Sequence, residues 1–317
     1  MTGTRNGPIF VVGAPRSGTT LLQRMLRSHP RISSPTGESH FIIPLHRRAA
    51  EFGDLGNKDN VLRVLNEMRR LQADFIDTDF HGMRFDAPAL ADEFHAKGIR
   101  TVQGLIGALF QKNAEGEGKV RWLDKTPYYV LHLPKILELY PDAQFVHIIR
   151  DGRDSVLSML ERSRDLCVYN TYHGAKLWQQ FVEVGQTEGR KLGNKIYFEL
   201  RYEDILAAPE KMMRSVCEFL DEEFTDSVIH FQKSTDPNTK TPLLKKELQS
   251  DNQDKWKLLM TQDQIRVFES AAGNTLQHCG YKVVSDCRQL PLALRGGYRL
   301  HNKIVTSWWD FAKRFVK

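Results

Sequence analysis

Val11-Val12-Gly13-Ala14-Pro15-Arg16-Ser17-Gly18-Thr19-Thr20 lies near the start of the 317-residue chain, and its reading decides the fold. Just before it, Ile9–Gly13 is a β-branched run that ends at glycine, the pattern of a buried strand. Just after it, 19–28 carries Leu21, Leu22, Met25 and Leu26 on one face and closes at "SHP", the pattern of a helix. A strand, a glycine turn and a helix N-terminus aim several free backbone N–H groups at one point, and the helix dipole adds positive charge there. Gly13 and Gly18 have the spacing of a phosphate-binding P-loop, with a hydroxyl at Thr20. The lysine that follows the second glycine of a Walker loop is replaced by Thr19, and the nearest cation is Arg16, before the glycine. A nucleoside triphosphate would lose its main charge partner in such a loop. A 5′-phosphate carrying a small anionic group that Arg16 can meet suits it better.

Working outward, the pattern alternates. Strands are expected at 121–124, 145–150 ("FVHIIR") and 195–202 ("KIYFELRY"). Helices are expected at 132–140, 155–162, 172–192, 209–220 and 262–278, and the stretch 45–118 reads as mostly helical and charged. Strands alternating with helices imply a three-layer α/β fold of P-loop type, a central parallel sheet flanked by helices. Ligands of such sheets sit beyond the carboxyl ends of the strands. The chain divides into one domain, 1–285, and a C-terminal tail, 286–317.

Composition sets the bounds. Hydrophobic residues make up 41% and charged residues 26%, ordinary for a globular chain. No apolar run approaches the roughly 18 residues of a membrane span. No apolar signal core precedes the first strand, so a cytoplasmic chain is expected. Cys167, Cys217, Cys279 and Cys287 show neither a CxxC pair nor metal-ligand spacing and read as reduced thiols. The net charge of +6 favours an anionic ligand, but the bases are scattered. No basic–aromatic tract of the kind nucleic acid needs is present.

"PRSGTT" after a first strand resembles the 5′-phosphosulfate loop of sulfotransferases that use 3′-phosphoadenosine 5′-phosphosulfate (PAPS). A second motif strengthens the resemblance: the strand "FVHIIR" ends at Arg150, and Ser158 follows eight residues later. In the family such a pair grips the 3′-phosphate. The likeness is closest to the branch of tyrosylprotein sulfotransferases and bacterial relatives. It runs through "RSGTTLLQRMLRSHPRISSPTGESHFIIP", where Ser39 replaces the second Glu of a "GEE" segment, and through "WLDKTPYY". By the same resemblance Arg162 is a phosphate-side arginine and Tyr202 contacts the nucleotide. Lys255 and Trp256 match a late Lys-Trp segment that closes over it.

The resemblance implies sulfonate transfer from PAPS to an acceptor hydroxyl, with no metal. Glu38 matches the family's general base. Lys125 and Arg16 would stabilise the group in transit, and Ser17, Gly18, Thr19 and Thr20 would supply loop donors. The histidine that many small-molecule sulfotransferases place two residues after the lysine is Pro127 here. His40 is the second choice for the base, and His132 reads as structural. A P-loop kinase lacks its lysine, and a degenerate, non-catalytic nucleotide- or membrane-binding relative would not need both Glu38 and Lys125.

The acceptor is not legible: tyrosine peptides, carbohydrates, lipids and small alcohols all stay open. The helical stretch 45–118 is expected to cover the acceptor cleft. In the tail, Leu300, Ile304, Val305, Trp308, Trp309, Ala312, Phe315 and Val316 recur at helical spacing, with Lys303, Lys313, Arg314 and Lys317 opposite. A helix across 298–317 would dock on its own domain or on a partner subunit, which leaves a homodimer open. The alternative is that it lies on an anionic bilayer.

Overall fold

The computed structural model describes residues 5–72, 83–234 and 252–312. Five parallel strands form the sheet: β1 (Ile9–Gly13), β2 (Ile32–Ser33), β3 (Arg121–Lys125), β4 (Gln144–Ile149) and β5 (Tyr197–Arg201), in the order β2-β3-β1-β4-β5. Ile9 lies opposite Leu123 on one side and Gln144 on the other, and Phe145 lies opposite Tyr197. The period-two geometry of β1 sends Phe10 and Val12 to one face and Ile9 and Val11 to the other. Both faces are buried, as a parallel sheet requires.

Helices α1 (Thr19–Arg27), α2 (Ile42–Arg47), α3 (Lys58–Leu71), α4 (Ala87–Ala96), α5 (Val102–Gly116), α6 (Leu133–Leu139) and α7 (Gly152–Glu161) follow in chain order. They are succeeded by α8 (Ser163–Leu166), α9 (Thr171–Leu192), α10 (Tyr202–Ala207), α11 (Pro209–Phe219), α12 (Trp256–Leu259), α13 (Gln262–His278) and α14 (Leu292–Ala312). The Ile9/Val11 face packs on α1, α10 and α11 through Leu22, Leu26, Ile205 and Val216. The Phe10/Val12 face is covered by the aromatic cluster of Phe110, Trp122, Tyr129 and Phe145, and by Trp178 of α9. Phe110 stacks on Trp122 with centroids 4.5 Å apart.

The described residues of 45–118 are mostly helical, as the pattern predicts, and 73–82 lie outside the described residues. Asn57, Asp86 and Thr101 cap α3, α4 and α5 by accepting from Asp59, Ala89 and Gly104 N–H groups. Three boundaries differ from expectation. β2 has only two residues, too few to leave a periodic signal. Tyr202 opens α10 rather than ending β5. The helix after β4 begins at Gly152 because the Asp151 side chain caps it through the Arg153 N–H at 2.9 Å.

The C-terminal helix also differs. It starts at Leu292 and carries Gly296-Gly297 inside it, where the sequence suggested a start after the glycines. It docks on its own domain through a polar seam. Asn302 accepts from the Tyr169 N–H at 2.8 Å and donates to the Cys167 carbonyl at 2.9 Å. Asn170 donates to the Tyr298 carbonyl at 3.0 Å, and the rings of Tyr172 and Tyr298 stack. Arg164 lies 3.9 Å over the Trp309 ring. The single apolar face read from the sequence is therefore split: Trp309 turns toward the domain, while Leu300, Ile304, Trp308 and Phe311 stay exposed. Lys313, Arg314, Phe315, Val316 and Lys317 lie outside the described residues. No described helix is long and apolar enough to cross a membrane.

Candidate active site

Because all strands run the same way, the residues that follow β1, β3, β4 and β5 collect at one edge of the sheet. The sheet order reverses direction between β1 and β4, the position at which such sheets open a crevice. A cavity of about 790 Å³ lies there, lined by Arg16, Gly18 and Thr20 from the loop, Glu38 and His40 after β2, and Arg150 after β4.

The loop turns through two left-handed residues, Arg16 (φ 67°) and Gly18 (φ 94°). At Gly18 the requirement is strict, because a Cβ would stand 2.4 Å from the Tyr202 ring. No side chain caps α1, so its first N–H groups stay open to the cavity. The unusual conformation of Arg16 sets its guanidinium against α7, where Nε donates to Ser158 Oγ at 2.9 Å. Ser17 does not line the cavity. It is fully buried beneath the loop, and its Oγ has no hydrogen-bond partner among the described residues.

Past Arg150, Asp154, Ser158, Arg162 and Leu166 line the cavity at four-residue spacing, with Leu157, Glu161 and Asp165 beside them. Arg150 stacks over the Tyr202 ring at 4.7 Å, donates to the Asn252 carbonyl at 2.9 Å, and keeps a buried Nε without a partner. Burial holds the Arg16 pKa below its ordinary value, and the charges of Arg162 and Arg150 push it the same way against Glu161 and Glu38. Three guanidinium groups around one cavity repel each other, and an anion between them would relieve that repulsion.

On the other side, Lys125 at the end of β3 donates to Glu38 Oε1 at 2.6 Å, and His40 Nε2 meets Glu38 Oε2 at 2.8 Å. Lys125 is buried behind Glu38 and does not line the cavity. Burial raises the Glu38 pKa, but the charge and hydrogen bond of Lys125, with those of His40, outweigh it and bring the carboxyl down to about 2. Its side chain is still 36% exposed toward the opening, so solvent screens part of that effect.

The segment that carries Glu38 is pinned from below. Ser39, fully buried, donates to Asp124 Oδ2 and meets the Tyr129 hydroxyl at 2.9 Å. Thr126 donates to Asp124 Oδ1 at 2.7 Å and accepts from the Ser39 N–H at 3.0 Å. The Ser39 substitution seen in the sequence thus belongs to a buried network that fixes Glu38 beside Lys125.

The remaining expected residues fall on both sides of the cavity wall. Trp256 does not line the cavity; Arg153 lies 3.5 Å over its ring while bridging Asp151 and Glu269, each at 2.7 Å. Its neighbour Lys255 does line the cavity. His132 stays outside it, packed edge-on against Tyr128. No described residue of 45–118 lines the cavity, and residues 73–82 of that stretch lie outside the described residues. Tyr128, Leu157, Leu166 and Phe181 are among the residues that line the cavity. Phe181 and Asn252 left no local signal, whereas Asp154 could have been found from its four-residue spacing. Burial pushes the thiols of Cys217 and Cys279 up to about 11 and about 12, so neither is a ready thiolate. No cluster of metal-ligand type occurs among the described residues.

A family model described as the sulfotransferase family matches residues 8–226. A protein-tyrosine sulfotransferase of Drosophila melanogaster is 26% identical over 246 residues, 77% of this chain and 44% of that protein. Protein-tyrosine sulfotransferase 2 of Gallus gallus is 28% identical over 71% of this chain and 54% of its own length. The chain thus spans about half the length of the curated relatives it matches. Among solved structures, the sulfotransferase domain from the curacin biosynthetic pathway superposes with a TM-score of 0.57 at 21% identity, covering 88% of this chain and 99% of that one. The sulfotransferase domain of the olefin synthase of Synechococcus PCC 7002 gives 0.54 at 22% identity, covering 86% and 97%. These two likenesses concern the fold.

Proposed function

The chain belongs to the sulfotransferase family, and we propose that it moves a sulfonate group from PAPS to an acceptor hydroxyl. One observation carries the reading: one cavity sets three guanidinium groups and an open helix N-terminus opposite the Glu38 carboxylate, which Lys125 pairs from behind.

The lining fits the proposed donor. The uncapped N-terminus of α1 and the side chains of Arg16, Arg150 and Arg162 line the cavity, and a phosphorylated ligand would use them. The loop residues Ser17 to Thr20 would hold the 5′-phosphate, Arg150 and Ser158 the 3′-phosphate, and Arg162 would add charge beside them. Tyr202 and Lys255 would flank the nucleoside. When bound, PAPS supplies an activated sulfonate. Arg16 and Lys125 would neutralise the charge that develops as it moves, a role that asks for no metal. Glu38 would take the acceptor proton. In the state described, Lys125 holds that carboxylate down, and a turn of Lys125 toward a sulfonate would restore its basicity.

The relatives named above are protein-tyrosine sulfotransferases, so a tyrosine hydroxyl in a peptide is the first acceptor to try. The aromatic and aliphatic walls at Tyr128, Leu157 and Phe181 suit a phenol ring. The test is transfer of labelled sulfonate from PAPS to a panel of tyrosine peptides, sugars and alcohols. It is paired with thermal stabilisation by 3′,5′-adenosine bisphosphate, set beside ATP with magnesium. Stabilisation by ATP alone would overturn the donor assignment. Stabilisation by the bisphosphate at about 100 times its dissociation constant should amount to roughly 2.7 kcal/mol.

A further inference from the structure

Helix α14 is docked the opposite way round from an ordinary amphipathic helix. Its inner side is held by Asn302, which bonds the Tyr169 N–H and the Cys167 carbonyl, and by the Tyr298 carbonyl, which accepts from the Asn170 side chain, while Leu300, Ile304 and Trp308 point outward at 58%, 57% and 57% exposure. These three recur at four-residue spacing and form one stripe on the helix. An exposed apolar stripe of this kind marks a contact surface. Arg299 and Lys303, both exposed, fall on one flank of the stripe, and Arg295 precedes them. The described helix carries a single acid, Asp310. Apolar residues with a tryptophan, flanked by bases, form the pattern of a helix that lies in the plane of a bilayer surface.

The position of the helix matters as well. The segment it grips follows Asp165 and Leu166, both of which line the cavity. Arg164, beside them, stacks on Trp309. From these observations we infer that the Leu300–Ile304–Trp308 stripe docks the protein on an anionic lipid surface, which places that surface next to the acceptor end of the cavity. Juxtaposed bases are attracted to anionic headgroups within a Debye length, and the apolar side chains bury at the acyl boundary.

The experiment is co-flotation of the full chain with vesicles of phosphatidylglycerol and phosphatidylcholine, or of phosphatidylcholine alone, beside sedimentation equilibrium without lipid. Binding to the anionic vesicles should exceed binding to the neutral ones by about tenfold or more and should fall with added salt. An Ile304→Asn/Trp308→Ala variant should lose most of the floated fraction while keeping its melting transition, because both side chains are exposed. Equal flotation of that variant, or wild-type protein left unbound by anionic vesicles, would overturn the proposal. So would a wild-type dimer that this variant converts to monomer with no lipid binding in either, since a second copy would then be what covers the stripe.

Discussion

Arg16 Nε donates to Ser158 Oγ at 2.9 Å, and this bond ties the loop after β1 to the middle of α7. It closes the cavity's cationic wall across 142 positions of sequence. The guanidinium is held in place by a hydroxyl rather than a carboxylate, so its charge stays available. Ser158→Ala should weaken 3′,5′-adenosine bisphosphate binding by about fivefold, the worth of one hydrogen bond of ~1 kcal/mol. Calorimetric titration measures it, and an unchanged affinity would mean that the bridge positions nothing.

Arg150 faces the same cavity from the end of β4, with one nitrogen uncommitted. Arg150→Ala should cut affinity for the bisphosphate by roughly 10- to 100-fold, the loss of charge-assisted hydrogen bonds. A nucleotide that lacks the 3′-phosphate should lose much less. Equal losses for the two ligands would remove Arg150 from the 3′-phosphate.

Glu38→Gln keeps the shape and the hydrogen-bonding reach of the side chain between Lys125 and His40, but not its proton affinity. Turnover should drop by about 10²- to 10⁴-fold, with bisphosphate affinity changed little. Single-turnover rates with saturating PAPS separate the two quantities. Near wild-type rates would transfer the role of base to another group, and His40, 2.8 Å away, is the nearest.

Asp124 gives a pH signature of stability. Burial pushes its carboxyl up to about 6, against the hydroxyls of Ser39 and Thr126 that donate to it. The folded chain therefore keeps a proton that the unfolded chain releases near 3.8. Stability from this group is present below the lower value and is lost as pH rises through the upper one, by at most roughly 3 kcal/mol. Asp124→Asn should flatten the slope of unfolding free energy between about pH 4 and pH 6. Coincident slopes in urea titrations of the two proteins would contradict the burial argument.

The residues that line the cavity from the loop and from α7 were legible because their information is local. Gly13 to Thr20 is one short stretch of backbone, and Arg150 before α7, Ser158 within it and Arg162 at its end lie four or eight residues apart, so spacing alone brings them together. Phe181, Asn252 and the depth of Lys125 depend on how distant segments pack, and no spacing in the sequence records that. The helical character of 45–118 was readable from its periodicity, but which wall it covers was not. Its helix α5 packs on β3 and β2, and β2, only Ile32 and Ser33, is too short to announce itself in the sequence. The division of α14 into inner and outer faces failed for a related reason. Apolar periodicity locates a stripe but does not say whether that stripe or the polar side meets the domain. Here Asn302 made the choice, by satisfying two backbone groups of 167–169 that would otherwise have lacked partners.

The pairing of Glu38 with Lys125 reaches beyond affinity into the order of events. On the proposed mechanism, an acceptor that arrives first meets a Glu38 already committed to Lys125, and its hydroxyl gains nothing from the encounter. Only after the donor has drawn Lys125 away does the carboxylate become worth binding to. Steady-state kinetics should therefore follow a compulsory sequence, donor before acceptor, in which an inert acceptor analogue inhibits uncompetitively against PAPS. Noncompetitive inhibition would show instead that the two substrates enter independently. On the compulsory route the ion pair acts as a safety catch, keeping the empty enzyme from activating hydroxyls that it has nothing to give.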